Sequence, residues 1–345
     1  MHSGNVMNLR RLFDWTKKHK KRLLVAAALL MFGVFILLNL VAYNQAYAMS
    51  HFTAEGERTA KPENLSLSGK ARVLFCGVTV PRPHGTATPS DVGLQYEELT
   101  IQCSNGIRLG AWHCPVPQNT SHGLVLLFHG YGGDKSSVLT EAAHFHALGW
   151  STLLVDFRGS GQSSETYTSI GYFEGEDVAE ALRFARATLP YSKFVFFGQS
   201  MGAAAILRAA SAYGANPDAM IVESVFDSML TTVKNRFEIM GLPAFPCAQL
   251  LMFWGGRQLN FDTFSHNPVN YAKNVTCPCL FLHGSDDPRA RIAEARRVYD
   301  AVPSAKHFQE FKGAKHESLA RHSPEEWNTT VENFLNGIPP TPSQP

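Results

Sequence analysis

The chain lacks the short motifs with which many enzymes hold an ion or a nucleotide. It has no H-E-x-x-H, no paired C-x-x-C and no phosphate-cradling G-x-x-x-x-G-K, so no metal and no nucleotide cofactor is implied. His144 and His146 stand two apart on a predicted helix, face different sides and make no metal pair. A charge of one sign is also missing. The 31 basic and 29 acidic side chains leave a net charge of +2, and no basic stripe marks a nucleic-acid footprint. Neither an internal repeat nor a low-complexity run is present. Six cysteines (Cys76, Cys103, Cys114, Cys247, Cys277 and Cys279) suit an oxidising compartment but define no framework. Cys103 and Cys114 lie on a predicted hairpin around Asn105-Gly106. A two-residue turn there would set Arg108 opposite Cys103, so these two thiols do not face each other. Cys277 and Cys279 share one strand face and cannot easily bridge each other, and the sequence assigns no disulfide pairing. Asn64, Asn119, Asn274 and Asn328 each begin an N-x-S/T sequon.

What the chain does have is a long apolar run near its start. Arg10, Arg11, Lys17, Lys18, Lys20, Lys21 and Arg22 form the densest basic cluster, and residues 23–43 follow it uncharged, apolar save for Gly33 and Asn39. At about 1.5 Å rise per residue that run covers about 30 Å, the thickness of a bilayer core. A globular helix of this length would be expected to show a polar face, and this one has none. The expectation is an uncleaved signal anchor over 23–43, with residues 1–22 as a cytoplasmic basic segment and the rest of the chain across the membrane. The alternative is secretion after cleavage at Ala46-Tyr47-Ala48, which mimics an A-x-A site. The apolar run exceeds the usual length of ~7–15 residues for a signal core, which favours the anchor.

The second positive signal is Gly198-Gln199-Ser200-Met201-Gly202. Before it, residues 193–197 read as a buried strand; after it, residues 203–210 are strong helix formers. A serine on such a strand-to-helix turn is strained, with its hydroxyl exposed, and β-carbons on the flanking glycines would collide with neighbouring backbone. The helix that follows aims its positive end at the same point. A nucleophilic serine needs a base and an acid, in the chain order Ser, Asp or Glu, His. One segment downstream suits each: residues 279–288 carry Asp286 and Asp287 in a turn after a strand, and residues 313–318 place His316 in a loop. Upstream, the strand 125–128 runs into the glycine-rich turn 129–133, which can present a backbone N–H to pair with that of Met201.

These segments together resemble the α/β-hydrolase superfamily over residues 93–338. The motifs are H-G-x-G-G at 129–133, D-x-R-G-x-G at 156–161, the elbow at Ser200, H-G-x-x-D at 283–287 and G-x-x-H at 313–316. Within it, the chain is most similar to short-lid serine hydrolases of the BEM46-like and serine-aminopeptidase-like groups. The resemblance implies Ser200 as nucleophile, His316 as base and Asp287 as acid, with oxyanion-hole N–H groups from Tyr131 and Met201. Spacing from His283-Gly284 favours Asp287 over Asp286. A few relatives carry the acid one strand earlier, which would nominate Asp227. His129 is read as a structural residue bonding the turn backbone.

Residues 44–92 read as a stalk and pre-domain segment with scattered prolines. A hairpin then leads into alternating strands and helices, which specify an α/β-hydrolase fold: a mostly parallel central sheet with helices on both faces. The alternation breaks at about 224–274, read as a small helical lid. Phe245, Leu250, Leu251, Phe253 and Trp254 either line an acyl pocket there or pack the lid onto the core. Residues 339–345 are expected to be a disordered tail. The functional expectation is a membrane-anchored serine hydrolase that cleaves a small-molecule, lipophilic carboxylic ester through an acyl-enzyme, with no cofactor and no nucleic-acid partner. Aminopeptidase or amidase chemistry on the same residues is the alternative, and a non-catalytic binding protein on a hydrolase fold is the alternative of another class. A serine at the elbow disfavours the dehalogenase and epoxide-hydrolase branches, which place aspartate there.

Overall fold

The computed structural model describes residues 6–60, 65–117 and 121–338. The tail at 339–345 and the sequons at Asn64 and Asn119 lie outside the described residues. The chain opens with a 45-residue helix, α1 (Val6–Ser50), followed by α2 (Leu67–Cys76). The hairpin β1 (Glu97–Gln102) and β2 (Arg108–Cys114) then starts an eight-stranded sheet. It continues with β3 (Leu124–Phe128), β4 (Ser151–Val155), β5 (Phe194–Gln199), β6 (Ala219–Glu223), β7 (Cys279–Gly284) and β8 (Lys306–Phe311). The spatial order is β1-β2-β4-β3-β5-β6-β7-β8, antiparallel at β1–β2 and β2–β4 and parallel elsewhere.

Strand alternation divides the core in two. Leu124, Leu126, Phe128 and Phe196 point to one face and Val125, Leu127, Val195 and Phe197 to the other. Five connecting helices supply the covers: α3 (Leu139–Ala147), α4 (Glu174–Thr188), α5 (Met201–Tyr213), and, later in the chain, Ile292–Ala301 and Pro324–Asn336. Val178 of α4, Leu207 of α5 and Val298 close the first face; Phe145 of α3, Trp327 and Val331 close the second. Each fully buried side chain of this size contributes about 1.5–3 kcal/mol relative to exposure. The sheet order reverses between β3 and β5, so the crevice at their carboxyl ends is where a ligand binds in such a fold.

Three expectations change. The hairpin register is Gln102↔Arg108, with Cys103 N–H bonding Ile107 O, because the loop is longer than a two-residue turn. Residues 44–92 are not a free stalk: Phe52 N–H bonds Thr166 O, Thr168 N–H bonds Ser50 O, and Arg82 is bonded to the carbonyls of Gly161 and Glu165. Outside the end of α1 and α2, its described residues are largely irregular backbone laid over the domain, which periodicity cannot reveal. The break in alternation is also shorter than 224–274. Its helical part is α6 (Met229–Ile239) and α7 (Cys247–Leu259), whereas α8 (Pro268–Ala272) returns Tyr271 and Ala272 to the main core. The remaining helices are α9 (Ile292–Ala301), α10 (Leu319–His322) and α11 (Pro324–Asn336). The thiols of Cys103, Cys114, Cys247, Cys277 and Cys279 are unpaired.

Along α1 the environment changes once. Residues 23–37 are exposed on every side, whereas Ala42, Ala46 and Ser50 are buried and Leu38, Val41, Gln45 and Met49 partly so. The spacing of three and four is that of one helix face turned to the domain. Asn39, one of two breaks in the apolar run, accepts a hydrogen bond from the Trp254 indole of α7 at 3.1 Å, and Tyr43 meets the same ring edge-on.

Candidate active site

Ser200 sits between β5 and α5 with φ 54° and ψ −108°, a conformation that L-residues rarely adopt. Its N–H bonds Glu223 O at 2.8 Å, which ties the turn to the neighbouring strand β6. A β-carbon on Gly198 would come within 2.5 Å of Gly202 O, and one on Gly202 within 2.2 Å of Phe128 O. Both positions therefore demand glycine, and the turn is as tight as its sequence implies. Met201 is the first residue of α5, so its N–H has no acceptor within the helix.

His316 lies in the loop after β8, its Nε2 3.0 Å from Ser200 Oγ and its Nδ1 2.7 Å from Asp287 Oδ2. A carboxylate only accepts, so Nδ1 carries the proton and Nε2 is left to accept from the serine. Asp287 follows β7 and is buried; its Oδ1 accepts from the N–H groups of Arg289 (2.8 Å) and Ala290 (3.0 Å). Burial alone would raise this carboxyl, but the facing His316 and the Ala290 N–H bring it below its ordinary value. Asp286 is exposed and accepts from the Ser285 hydroxyl. Asp227 is held by Arg297 at 2.7–2.8 Å. Of the three acids considered, Asp287 is the one bonded to His316.

The turn after β3 lies against the elbow, since a β-carbon on Gly130 would stand 3.6 Å from Ser200 Cβ. Tyr131, next in that turn, is fixed through its side chain: its hydroxyl donates to Met49 O of α1 at 2.6 Å. His129 donates from Nδ1 to Gly130 O (2.9 Å) and accepts at Nε2 from Phe157 N–H (3.1 Å), the structural role predicted for it. Burial holds it below its ordinary value, in keeping with that neutral tautomer. His144 packs on Trp327 while His146 reaches Pro115 O, so the two diverge.

Two residues escaped the sequence reading. Glu223 ends β6 fully buried, accepting from Gln199 Nε2 (2.9 Å), Trp327 Nε1 (3.1 Å) and Leu319 N–H (3.4 Å). Burial, and then the nearby Glu141, push it up to about 8. It joins the residue before Ser200 to the loop carrying His316. Its one sequence signal is an acid closing an otherwise apolar strand. Ser224, at φ 53°, is buried with its hydroxyl unpartnered among the described residues, on the wall of the cavity that Ser200 floors.

That cavity holds about 410 Å³, within the range of small-molecule sites. Ser200 and His316 lie at its base, and Val233, Phe237, Met240 and Leu251 of the α6–α7 insertion wall it on one side. Of the five insertion residues weighed for an acyl pocket, Leu251 is among the lining residues. Trp254 packs on α1, and Phe245 and Phe253 are exposed.

Comparison with known proteins agrees with this architecture. The family model of the alpha/beta hydrolase fold matches residues 123–246, from β3 past the elbow into the insertion. The chain is 25% identical over 280 residues to the lysophosphatidylserine lipase ABHD12 of Macaca fascicularis, covering 70% of this chain and 66% of that protein. It is 22% identical over 259 residues to the uncharacterized protein YqkD of Bacillus subtilis, covering 72% and 83%. Among solved structures, the Pyrococcus furiosus esterase Pf2001 superposes with a TM-score of 0.63 at 23% identity, over 74% of this chain and 96% of that one. Est1E from Butyrivibrio proteoclasticus gives 0.56 at 18% identity, over 70% and 98%. The sheet order, the segment matched by the family model and these superposed folds coincide, so the chain has the α/β-hydrolase fold.

Proposed function

We propose that the protein is a membrane-anchored serine hydrolase that cleaves the carboxylic ester of a lipid-like substrate through an acyl-enzyme. The observation that carries this reading is the hydrogen-bonded line Ser200–His316–Asp287, at 3.0 and 2.7 Å, at the base of an apolar cavity. In the reaction, Ser200 Oγ attacks the ester carbonyl as His316 Nε2 takes its proton, and Asp287 stabilises the imidazolium. The oxyanion is received by the Tyr131 and Met201 N–H groups at the positive end of α5. His316 then protonates the departing alcohol, and water repeats the sequence to release the acid.

The charge around the cavity favours an ester over the substrate of an aminopeptidase. Its lining residues include Arg58, Arg236, Arg289 and Arg321 but a single carboxylate, Glu317, and a protonated amino terminus would be repelled there. An ester with an anionic head group suits the same surface. The lysophosphatidylserine lipase named above acts, by its name, on such a lipid. Membrane anchoring rests on α1, the one described helix long and apolar enough to cross a bilayer. The basic residues before it favour a cytoplasmic N-terminus and an extracytoplasmic domain.

The test is labelling of the full-length protein by a fluorophosphonate, with hydrolysis of a nitrophenyl ester followed in parallel. Wild type should label and turn over, and Ser200→Ala should do neither. Turnover retained by a folded Ser200→Ala would exclude the mechanism, and a wild type inert to both would favour a binding protein on this fold.

A further inference from the structure

We infer that the last turns of the membrane helix are themselves a wall of the acyl site, and that the substrate's chain enters that site sideways from the bilayer. This rests on the esterase and anchor readings above. The cavity that ends at Ser200 and His316 is lined along one side by Leu38, Val41, Ala42, Gln45 and Met49 of α1. These positions recur at three and four, so they form one stripe. Met49 lies at the inner end, lining a pocket together with Ser200 and His316, and its carbonyl accepts from the Tyr131 hydroxyl. Leu38, eleven residues earlier, lies roughly 16 Å away along the helix axis.

The outer end of that stripe falls at hydrocarbon depth. Residues 23–37 are apolar and exposed all round, and Leu38 adjoins them directly. Tyr43 and Tyr47, both exposed, come after Leu38 and Val41, and tyrosines of this kind mark the membrane–water boundary. The cavity therefore begins on the lipid side of that boundary and ends at the serine on the water side. The wall is held in place by polar ties whose other members lie far off in the chain. They are Asn39 to Trp254, Gln45 to the Val73 carbonyl of α2, and Met49 to Tyr131. Phe253, exposed beside Trp254, extends the apolar surface next to α1. An acyl chain already in the leaflet could slide along this stripe without crossing water, while the arginines stay with the head group. The occupant is thus a long-chain ester resident in the bilayer.

The experiment uses full-length protein in phosphatidylcholine vesicles. Leu38→Trp and Val41→Trp fill the outer end of the cavity, and Leu30→Trp, on the exposed stretch, is the control. The readout is the ratio of kcat/KM for a long-chain nitrophenyl ester to that for the butyrate. That ratio should fall about tenfold or more in the two cavity variants, the scale of losing one or two methylene contacts in a pocket, and stay at the wild-type value in the control. Fluorophosphonate labelling of each variant reports an intact serine site, and Val41→Ala, which widens the cavity without bulk, should shift the ratio without a loss of labelling. In a second arm, the long-chain ester is diluted with inert lipid at constant bulk concentration. The rate should fall with its surface fraction. Unchanged ratios in all three cavity variants would overturn the wall, and a rate set by bulk concentration alone would overturn entry from the bilayer. In either case hydrolysis lost in Ser200→Ala would leave the esterase reading standing. No hydrolysis by wild type would instead remove the reading on which the inference rests.

Discussion

At the scale of single residues, Ser200→Ala and His316→Ala are each expected to lower kcat by roughly 10⁴-fold or more, with the fold kept, because groups that act as a unit fail together. Asp287→Asn should cost less than either, and Asp286→Asn next to nothing, since Asp286 bonds Ser285 at the surface. Steady-state kinetics on one short ester would check the order, and a larger loss at Asp286 would reassign the acid.

Glu223 makes a different prediction, in stability against pH. Unfolded, it titrates near its ordinary 4.5; folded, burial and Glu141 hold it at about 8. Between those values the native state keeps a proton that the unfolded chain has released. Stability therefore declines as pH rises from about 5 to about 8, and the penalty is complete above that. Melting temperatures of Glu223→Gln should gain on wild type across this window, because an amide has no charge to bury. Parallel curves would show that Glu223 is not the group responsible.

Among elements, the α1–α7 contact separates two side chains that sit three apart in sequence. Leu251 lines the cavity, so Leu251→Ala should weaken long acyl esters selectively, by about 0.8 kcal/mol for each methylene that loses its wall. Trp254 instead packs against Tyr43 and donates to Asn39. Trp254→Ala should lower the melting temperature, at a cost on the order of 2 kcal/mol for a half-buried ring and its hydrogen bond, and shift chain-length preference only by loosening α1. Melting curves and a chain-length series on both variants distinguish the roles, and identical behaviour would mean that the insertion acts as one unit.

For the whole molecule, residues 38–50 of α1 belong both to the long apolar helix and to the surface packed on the hydrolase fold. Protease added outside intact cells or spheroplasts should reach the hydrolase domain and spare the basic segment before residue 23. The mature protein should begin upstream of Ala48. An N-terminus at Met49 would contradict the anchor, and it would also strip Leu38, Val41, Ala42 and Gln45 from the cavity. A chain shortened to that point should therefore melt at a lower temperature than the full chain, not merely become soluble.

The sequence alone determined the sheet and the nominees for its chemistry. Strands β3 to β7 each carry a run of at least three apolar residues because both their faces are buried, and such runs are visible without coordinates. The elbow was legible because its geometry demands glycine at positions 198 and 202, a local constraint written in local residues. The order of the motifs also nominated Asp287 and His316, which stand 29 positions apart and are bonded in the fold. Tertiary structure decided what depends on distant partners. It placed Glu223 between the elbow and the histidine loop, laid residues 44–92 on the domain, and turned Trp254 toward Asn39, 215 positions earlier. It also made the last turns of the apolar N-terminal helix one side of a cavity. Periodicity describes a segment's own faces, and it carries no term for which remote surface will cover them.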